Sequence, residues 1–322
     1  MSSLPAEAEA VAARGSNAPR RTAGRLAGSW ARHRLPLGLV APAAILVGAL
    51  VGYPLVRTLW LSFTDTGLAD LISGTGDWVG LDNYREVFTD EALRRALVNT
   101  VVFGTVAVAV TMLFGLGVAL LLNQRFRGRG LLTVLVILPW AMPAIAASSV
   151  WRWMFNDQYG LVNWVLVRLG ASSFEEYSWF TDRLPAFAAI LVVVVWQSYP
   201  FIALSILAAL QTLPGEVLDA AKVDGAGAWQ RLRYVTLPLL RPIIAVLAVI
   251  STIWNFKIFD QVYVLAAGVP ERATDTAAVA AYRLAFASSE FGLGSALAVV
   301  LFVILLAVTL VYLRMLRGQE AT

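Results

Sequence analysis

Hydrophobic residues in this chain fall into long blocks rather than alternating stripes. Five uncharged runs stand out: Leu37–Val56, Ala96–Gln124, Gly130–Trp151, Leu184–Gly215 and Phe291–Leu313. A sixth, Pro242–Leu265, is apolar except for Lys257 and Asp260. A hydrocarbon core of ~30 Å takes roughly 20 residues of helix to cross. In lipid the backbone has no water to bond to, so each run must be helical. The pattern predicts an all-α, polytopic membrane protein with six transmembrane helices. An even number of crossings returns both termini to the same side.

Charge chooses that side. The N-terminal tail up to Arg34, the 123–130 loop, the 211–241 loop and the C-terminal tail hold fifteen basic residues. The opposite loops hold seven, together with most of the acids, among them Asp65, Asp70, Asp77, Asp82, Glu86, Asp90 and Glu91. Basic residues collect on the cytoplasmic face. Both termini are therefore expected inside the cell, in a multi-pass membrane protein. The arginines follow topology, which argues against a nucleic-acid partner. Residues 1–34 are rich in Ala, Arg, Ser and Gly without periodicity, and read as a disordered cytoplasmic tail. The apolar run that follows is too long for a cleaved signal and reads as an anchor.

Composition removes most catalytic chemistry. Of 322 residues, 59% are hydrophobic and only 14% charged, against ~25% charged in a soluble domain. There is no cysteine, and the only histidine, His33, lies in the tail. Thiolate metal sites, cysteine nucleophiles and a Ser/His/Asp set in the membrane are excluded. A phosphate loop needs Gly-Lys-Ser/Thr. Lys222 follows Ala221 and Lys257 follows Phe256, so neither lysine fits. No catalytic residue, metal or cofactor is expected on this chain.

The 211–238 loop carries the densest local signal. Pro214 suits a first helical turn, with Thr212 as a candidate cap. Glu216 lies near the positive end of the helix dipole. Gly225 can adopt the left-handed conformation that stops a helix after Val223 or Asp224. A second short helix is expected around Trp229–Tyr234, with Pro238 and Pro242 punctuating the start of the fifth span. The residues alone leave two readings: an elbow that docks a partner through small Ala220 and Ala221, or an amphipathic loop lying on the membrane.

Asp219-Ala220-Ala221, Asp224-Gly225-Ala226 and Val235-Thr236-Leu237-Pro238 together resemble the cytoplasmic loop of permeases of binding-protein-dependent ABC importers. Phe259-Asp260-Gln261-Val262-Tyr263-Val264-Leu265 before Gly268-Val269-Pro270 is similar to a stretch of their carbohydrate-transporting members. So are Gly80-Leu81-Asp82-Asn83-Tyr84, Tyr282–Phe286 and Phe291–Ala296, and the likeness covers about residues 35 to 315. It implies the type-I importer transmembrane fold. Residues 35–94 then hold the first helix and outer loop, 95–313 the core module, and 314–322 a cytoplasmic tail. It further implies that Glu216, Asp219, Ala220, Ala221, Asp224, Gly225 and Ala226 form the loop that couples to a separate ATPase subunit, where ATP is held. Asp219 stands where the family usually has Glu. The implied partners are a second permease subunit, two cytoplasmic ATPase subunits, an extracytoplasmic solute-binding protein and a small carbohydrate.

Charge inside a membrane is costly and marks a protein interior or an aqueous path. Lys257 and Asp260, three apart on one predicted helical face, are read either as a self-neutralising pair or as solute contacts. Asn255 and Trp254 lie one turn inward. Gln197 and Tyr199 precede Pro200 on the fourth span, where a kink would expose polar groups. Gln197, Tyr199, Asn255, Lys257 and Asp260 are therefore the candidate translocation path. Trp151, Trp153 and Trp179 are read as an interfacial belt. The alternative function is a stand-alone secondary transporter or channel driven by Lys257 and Asp260.

Overall fold

The structure, a computed structural model, describes residues 40–266, 269 and 272–320. The tail 1–34 and positions Gly268 and Pro270 of the outer loop lie outside the described residues. The chain divides into two compact units, Met1–Arg57 and Thr58–Thr322. The first carries most of helix α1 (Val40–Leu61), whose turns widen to a π-helix over Gly48–Gly52.

In the second unit a short hairpin opens the chain. β1 (Thr64–Asp65) pairs antiparallel with β2 (Asp77–Trp78), and α2 (Leu68–Ser73) lies between them. Helix α3 (Asp82–Thr89) follows, then α4 (Glu91–Leu122). Asp90 caps α4 by accepting a 2.9 Å hydrogen bond from the Leu93 amide. The helix starts one turn before the uncharged run because Glu91 pairs with Arg95 at 2.8 Å, so charge at its end is tolerated.

The third apolar run is not one rod. α5 (Arg129–Ala141) and α6 (Ala144–Met154) meet at 99°. Met142 precedes Pro143, and the proline ring disfavours the helical conformation of the residue before it. Met142 is extended, at φ −80° and ψ 137°. After α7 (Leu161–Arg168), α8 (Arg183–Thr212) runs unbroken through Pro200. The short helix α9 (Gly215–Val223) leads to a turn and a second stretch, Ala228–Arg231. That stretch is not a separate helix. It passes through a π turn, Leu232–Thr236, straight into α10 (Leu237–Phe256). The wider turn, with the Leu237 amide bonded to the Leu232 carbonyl, sits just before Pro238 and absorbs its missing donor. α11 (Asp260–Leu265), α12 (Ala277–Tyr282) and α13 (Phe291–Glu320) complete the chain.

Five of these helices are long and apolar enough to cross a membrane, and six if the bent α5–α6 pair counts as one span. α4 contributes to each of three buried clusters. Phe103 and Ala107 pack with Ile190, Val193 and Val262. Ala96 and Leu97 pack with Val87, Ala277 and Leu297. Ala119 and Leu122 pack with Ile202, Ile206 and Leu240. Gly115 lets α4 approach α8 closely, since a Cβ there would lie 2.7 Å from Ile202 Cγ2. The outward sides of the spans are also apolar, with Val102, Leu113 and Leu131 exposed, as helices facing hydrocarbon require.

Candidate functional site

Two helix breaks face one cavity. At the first, between α5 and α6, the Met142 carbonyl has left the helical ladder. Gln197 of α8 donates to it from Nε2 at 3.0 Å. Gln261 of α11 donates in turn to Gln197 Oε1 at 2.7 Å. The second break lies between α10 and α11, where Lys257 and Phe259 leave helical geometry. There the buried Thr276 hydroxyl donates to the Ile258 carbonyl at 3.2 Å. Arg152, in the last turn of α6, donates to the Val264 carbonyl near the end of α11 at 2.9 Å. Each released carbonyl named here has a side-chain donor. Non-helical backbone at membrane depth is stable only with such partners or beside a water-filled cavity.

The cavity is about 390 Å³ and is lined by Trp140, Met142, Gln197, Trp254, Asn255, Lys257, Asp260 and Gln261, among others. Gln197, Asn255, Lys257 and Asp260 were all expected on a translocation path, and the fold brings them together here. Asn255 is 3% exposed and donates to the Ser251 carbonyl at 2.8 Å. Tyr199 lies elsewhere: it meets Phe114 edge-on at 4.8 Å and packs among apolar neighbours. Lys257 and Asp260 are not on one helical face, because the helix ends between them. Among the described residues neither forms an ion pair. Their reading as a self-neutralising pair is therefore corrected, and both side chains line the cavity.

Gln261 and Trp140 escaped the sequence reading. Treating the fifth span as one rod hid Gln261, which lies in α11, just past the interruption at Lys257–Phe259, and lines the cavity. Pro139 and Pro143, on either side of Trp140, are the sequence signal that could have pointed to the first break. Trp140 stacks with Phe201 at 6.1 Å, and Phe201 meets Trp254 at 5.0 Å, so an aromatic strip joins α5, α8 and α10 beside the amides.

The elbow is the second feature. α9 ends as expected. Gly225 has φ +80°, its amide bonds to the Lys222 carbonyl at 3.0 Å, and the Ala226 amide bonds to the Ala221 carbonyl at 3.0 Å. This two-bond stop needs a left-handed residue, which glycine adopts without a Cβ clash. Pro214 stands at the cap position rather than inside the first turn. Thr212 does not cap α9; its hydroxyl donates back to the Ala209 carbonyl at 2.9 Å within α8. Glu216 lies in the first turn, where the helix dipole favours it. Asp219 pairs with Lys222 at 2.7 Å on the exposed side, a contact that contributes little in water.

The two small residues divide. Ala220 is exposed, as are Glu216, Val217 and Val223. Ala221 is half-buried on the inner side with Leu218, so a partner can meet Ala220 but not Ala221 head-on. Arg231 donates to the Ala226 carbonyl at 2.7 Å and Gln230 accepts from the Gly227 amide at 2.8 Å, which fixes the turn. Exposed Trp229 and Tyr234 extend the apolar surface past the bend. Trp151 and Trp179, expected in a belt, instead pack on Phe155 in a buried cluster, while Trp153 is exposed.

A helical protein with five or six candidate spans among its described residues, a polar cavity at two helix breaks and an exposed elbow has the architecture of an importer's membrane subunit. Residues 111–318 match the family described as "Binding-protein-dependent transport system inner membrane component", and the chain belongs to that family. It is 40% identical to the diacetylchitobiose uptake system permease protein of Streptomyces coelicolor, over 95% of this chain and 92% of that one. It is 38% identical to the sulfoquinovosyl glycerol transport system permease protein of Agrobacterium fabrum, over 88% and 90%. In fold it is similar to a chain of the bacterial alginate ABC transporter solved with an alginate pentasaccharide-bound periplasmic protein. That match has a TM-score of 0.79 at 21% identity, over 92% of this chain and 99% of that one.

Proposed function

We propose that this chain is one of two permease subunits of an ATP-driven carbohydrate importer in a bacterial plasma membrane, with both termini in the cytoplasm. The chain holds no catalytic site of its own. ATP is bound and hydrolysed by two separate ATPase subunits, one of which receives α9. A second, related permease completes the path, and an extracytoplasmic binding protein delivers the sugar. The observation that carries the reading is the elbow: a helix stopped at Gly225, stapled by Arg231, and presenting Ala220 between Glu216 and Val223. A rigid, exposed, small-residue helix transmits a push; a loop loosely laid on lipid does not. Family membership and the carbohydrate names of the relatives support the same reading over an autonomous carrier.

On this mechanism, closure of the ATPase dimer moves α9, and the motion reaches the spans through the continuous Ala228–Phe256 helix. That helix ends at Lys257, on the cavity itself. Solute hydroxyls then meet the Gln197 and Gln261 amides and the Trp254 ring. The test is a reconstituted complex. Gly225→Pro and Ala220→Trp are each expected to lower sugar-stimulated ATP hydrolysis and uptake at least tenfold. Gly225→Asn, which tolerates the left-handed conformation, is expected to retain most of both. Coupled uptake unaffected by Gly225→Pro and Ala220→Trp contradicts the proposal.

A further inference from the structure

Residues 155–182, between α6 and α8, are built as a frame. Asn163 is 5% exposed, and its Nδ2 donates to the carbonyls of Asp157 at 3.3 Å and Tyr177 at 2.8 Å. Its Oδ1 accepts from Trp179 Nε1 at 2.6 Å. Trp179 stacks on Phe174 at 5.5 Å and meets Phe155 at 5.3 Å. This buried amide and its aromatic clasp hold the segment in one shape.

The frame surrounds a cavity of about 520 Å³, larger than the one at the helix breaks. Tyr159, Trp164, Asp157, Arg168, Glu175 and Glu176 line it. The two rings are 62% and 57% exposed, although this segment lies in a loop on the side predicted to face water outside the cell. The Arg168 guanidinium carbon stands 5.3 Å from the Trp164 ring centre, which fixes a cation beside the indole. Among the described residues no donor reaches the side-chain carboxylates of Glu175 and Glu176. Uncovered rings in a concave site with convergent, unused polar groups define a small-ligand pocket.

We propose that this cavity is a second saccharide site, selective for neutral sugars, which holds one ring of the solute ahead of the permeation cavity. It rests on the carbohydrate reading above. The flat C–H face of a pyranose packs against indole and phenol, as amphipathic rings allow. Its hydroxyls donate to the carboxylates of Asp157, Glu175 and Glu176 and accept from Arg168. Three acids against one arginine make the local field negative, which turns away anionic sugars. The link to the permeation cavity is α6. Ala144, at its start, lines the cavity at the breaks, and Met154, at its end, lies three residues before Asp157. Eleven helical residues separate the two sites by about 16 Å.

The experiment uses the assembled transporter in lipid nanodiscs without its binding protein. Saturation-transfer NMR reads contact with N,N′-diacetylchitobiose, trehalose and maltose, and with glucuronate-bearing disaccharides as the anionic probes. The proposal expects at least one neutral sugar to bind at millimolar concentration, and the anionic probes at least tenfold more weakly. Trp164→Ala is expected to weaken neutral-sugar binding tenfold, and Trp164→Phe to restore most of it. The double variant Glu175→Gln/Glu176→Gln is expected to narrow the neutral-to-anionic ratio at least threefold. Sugar uptake by the full system combined with sugar contacts that Trp164→Ala and Tyr159→Ala leave unchanged overturns this site alone. The same holds if those variants change only the affinity of the binding protein. No uptake of any sugar by the full system overturns the site together with the carbohydrate reading.

Discussion

The α8 span and the α5–α6 span both carry a proline among apolar residues, yet only the latter breaks. Pro200 lies inside an uninterrupted helix of 30 residues, whereas Pro143 coincides with a 99° bend. The α10–α11 break makes the contrast sharper, because it falls at Lys257–Phe259 with no proline at all. Proline alone therefore does not locate the breaks. What the broken sites share is a side-chain donor from another element: Gln197 for Met142 and Thr276 for Ile258. A freed carbonyl in an apolar interior costs a full desolvation penalty unless a donor is waiting. The two breaks persist where α8 and the segment before α12 supply those donors, and they leave polar backbone around a cavity rather than against lipid.

The largest effect is expected where one side chain serves both breaks. Gln197→Leu strips the donor from Met142 and the acceptor from Gln261 together. About 1–3 kcal/mol of stability is expected to be lost, membrane surroundings keeping the figure at the lower end. Uptake should fall at least tenfold, while Gln197→Glu, which keeps the acceptor, loses less. Thermal unfolding in detergent together with transport in proteoliposomes measures both. Wild-type values for Gln197→Leu would mean that the amide relay does not hold the spans.

Sequence reasoning reached the unbroken parts of the molecule and stopped at the breaks. Apolar run length finds α4, α8 and α13 because helix is the only way for such a run to cross lipid. The stop at Gly225 was equally readable, since a positive φ there is a local demand on one residue. The bend at Met142 depends on Gln197, 55 positions away, and the break at Lys257 on Thr276 across the outer loop. Such long-range donors leave no trace in local periodicity. The same blindness placed Lys257 and Asp260 on one face, missed Gln261, and grouped Tyr199 with residues of a cavity it does not line. It also made a cap of Thr212, although a threonine near a helix end can equally donate back to its own last turn.

Intermediate effects test the donor rule directly. Thr276→Val keeps the shape and removes the bond to Ile258, so about 1 kcal/mol is expected to be lost, with a fall of a few degrees in melting temperature. Pro143→Ala is expected to keep the bend and at least half of the uptake, because Gln197 still holds the Met142 carbonyl. Pro200→Ala is expected to leave uptake within twofold of wild type. Straightening of the third span in Pro143→Ala, seen as a changed distance between spin labels on α5 and α6, would return the cause of the break to the proline.

The smallest effect concerns the outer layer, where Asp275 sits between the breaks and the last span. Its carboxylate is 7% exposed and lies 3.0 Å from Arg283 Nε. Burial raises its pKa above 3.8, opposed by the charges of Arg283 and Arg272. A carboxyl whose folded pKa lies above its unfolded value binds its proton more readily in the folded state. Its contribution to stability is then complete below pH 3.8 and is lost as pH rises through the higher, folded value. Asn99 of α4 donates to the Asp275 carbonyl at 2.9 Å and accepts from Arg183 of α8 at 2.6 Å, which ties this residue to both helices. Asp275→Asn is expected to flatten the decline in stability just above pH 3.8 and to leave stability at neutral pH no lower than wild type, because the neutral amide avoids a burial cost that the Arg283 and Arg272 charges only partly offset. Melting curves of both proteins across that window decide the point. A decline of the same size in the variant would assign it to another carboxylate and leave the raised pKa of Asp275 without a consequence for the fold.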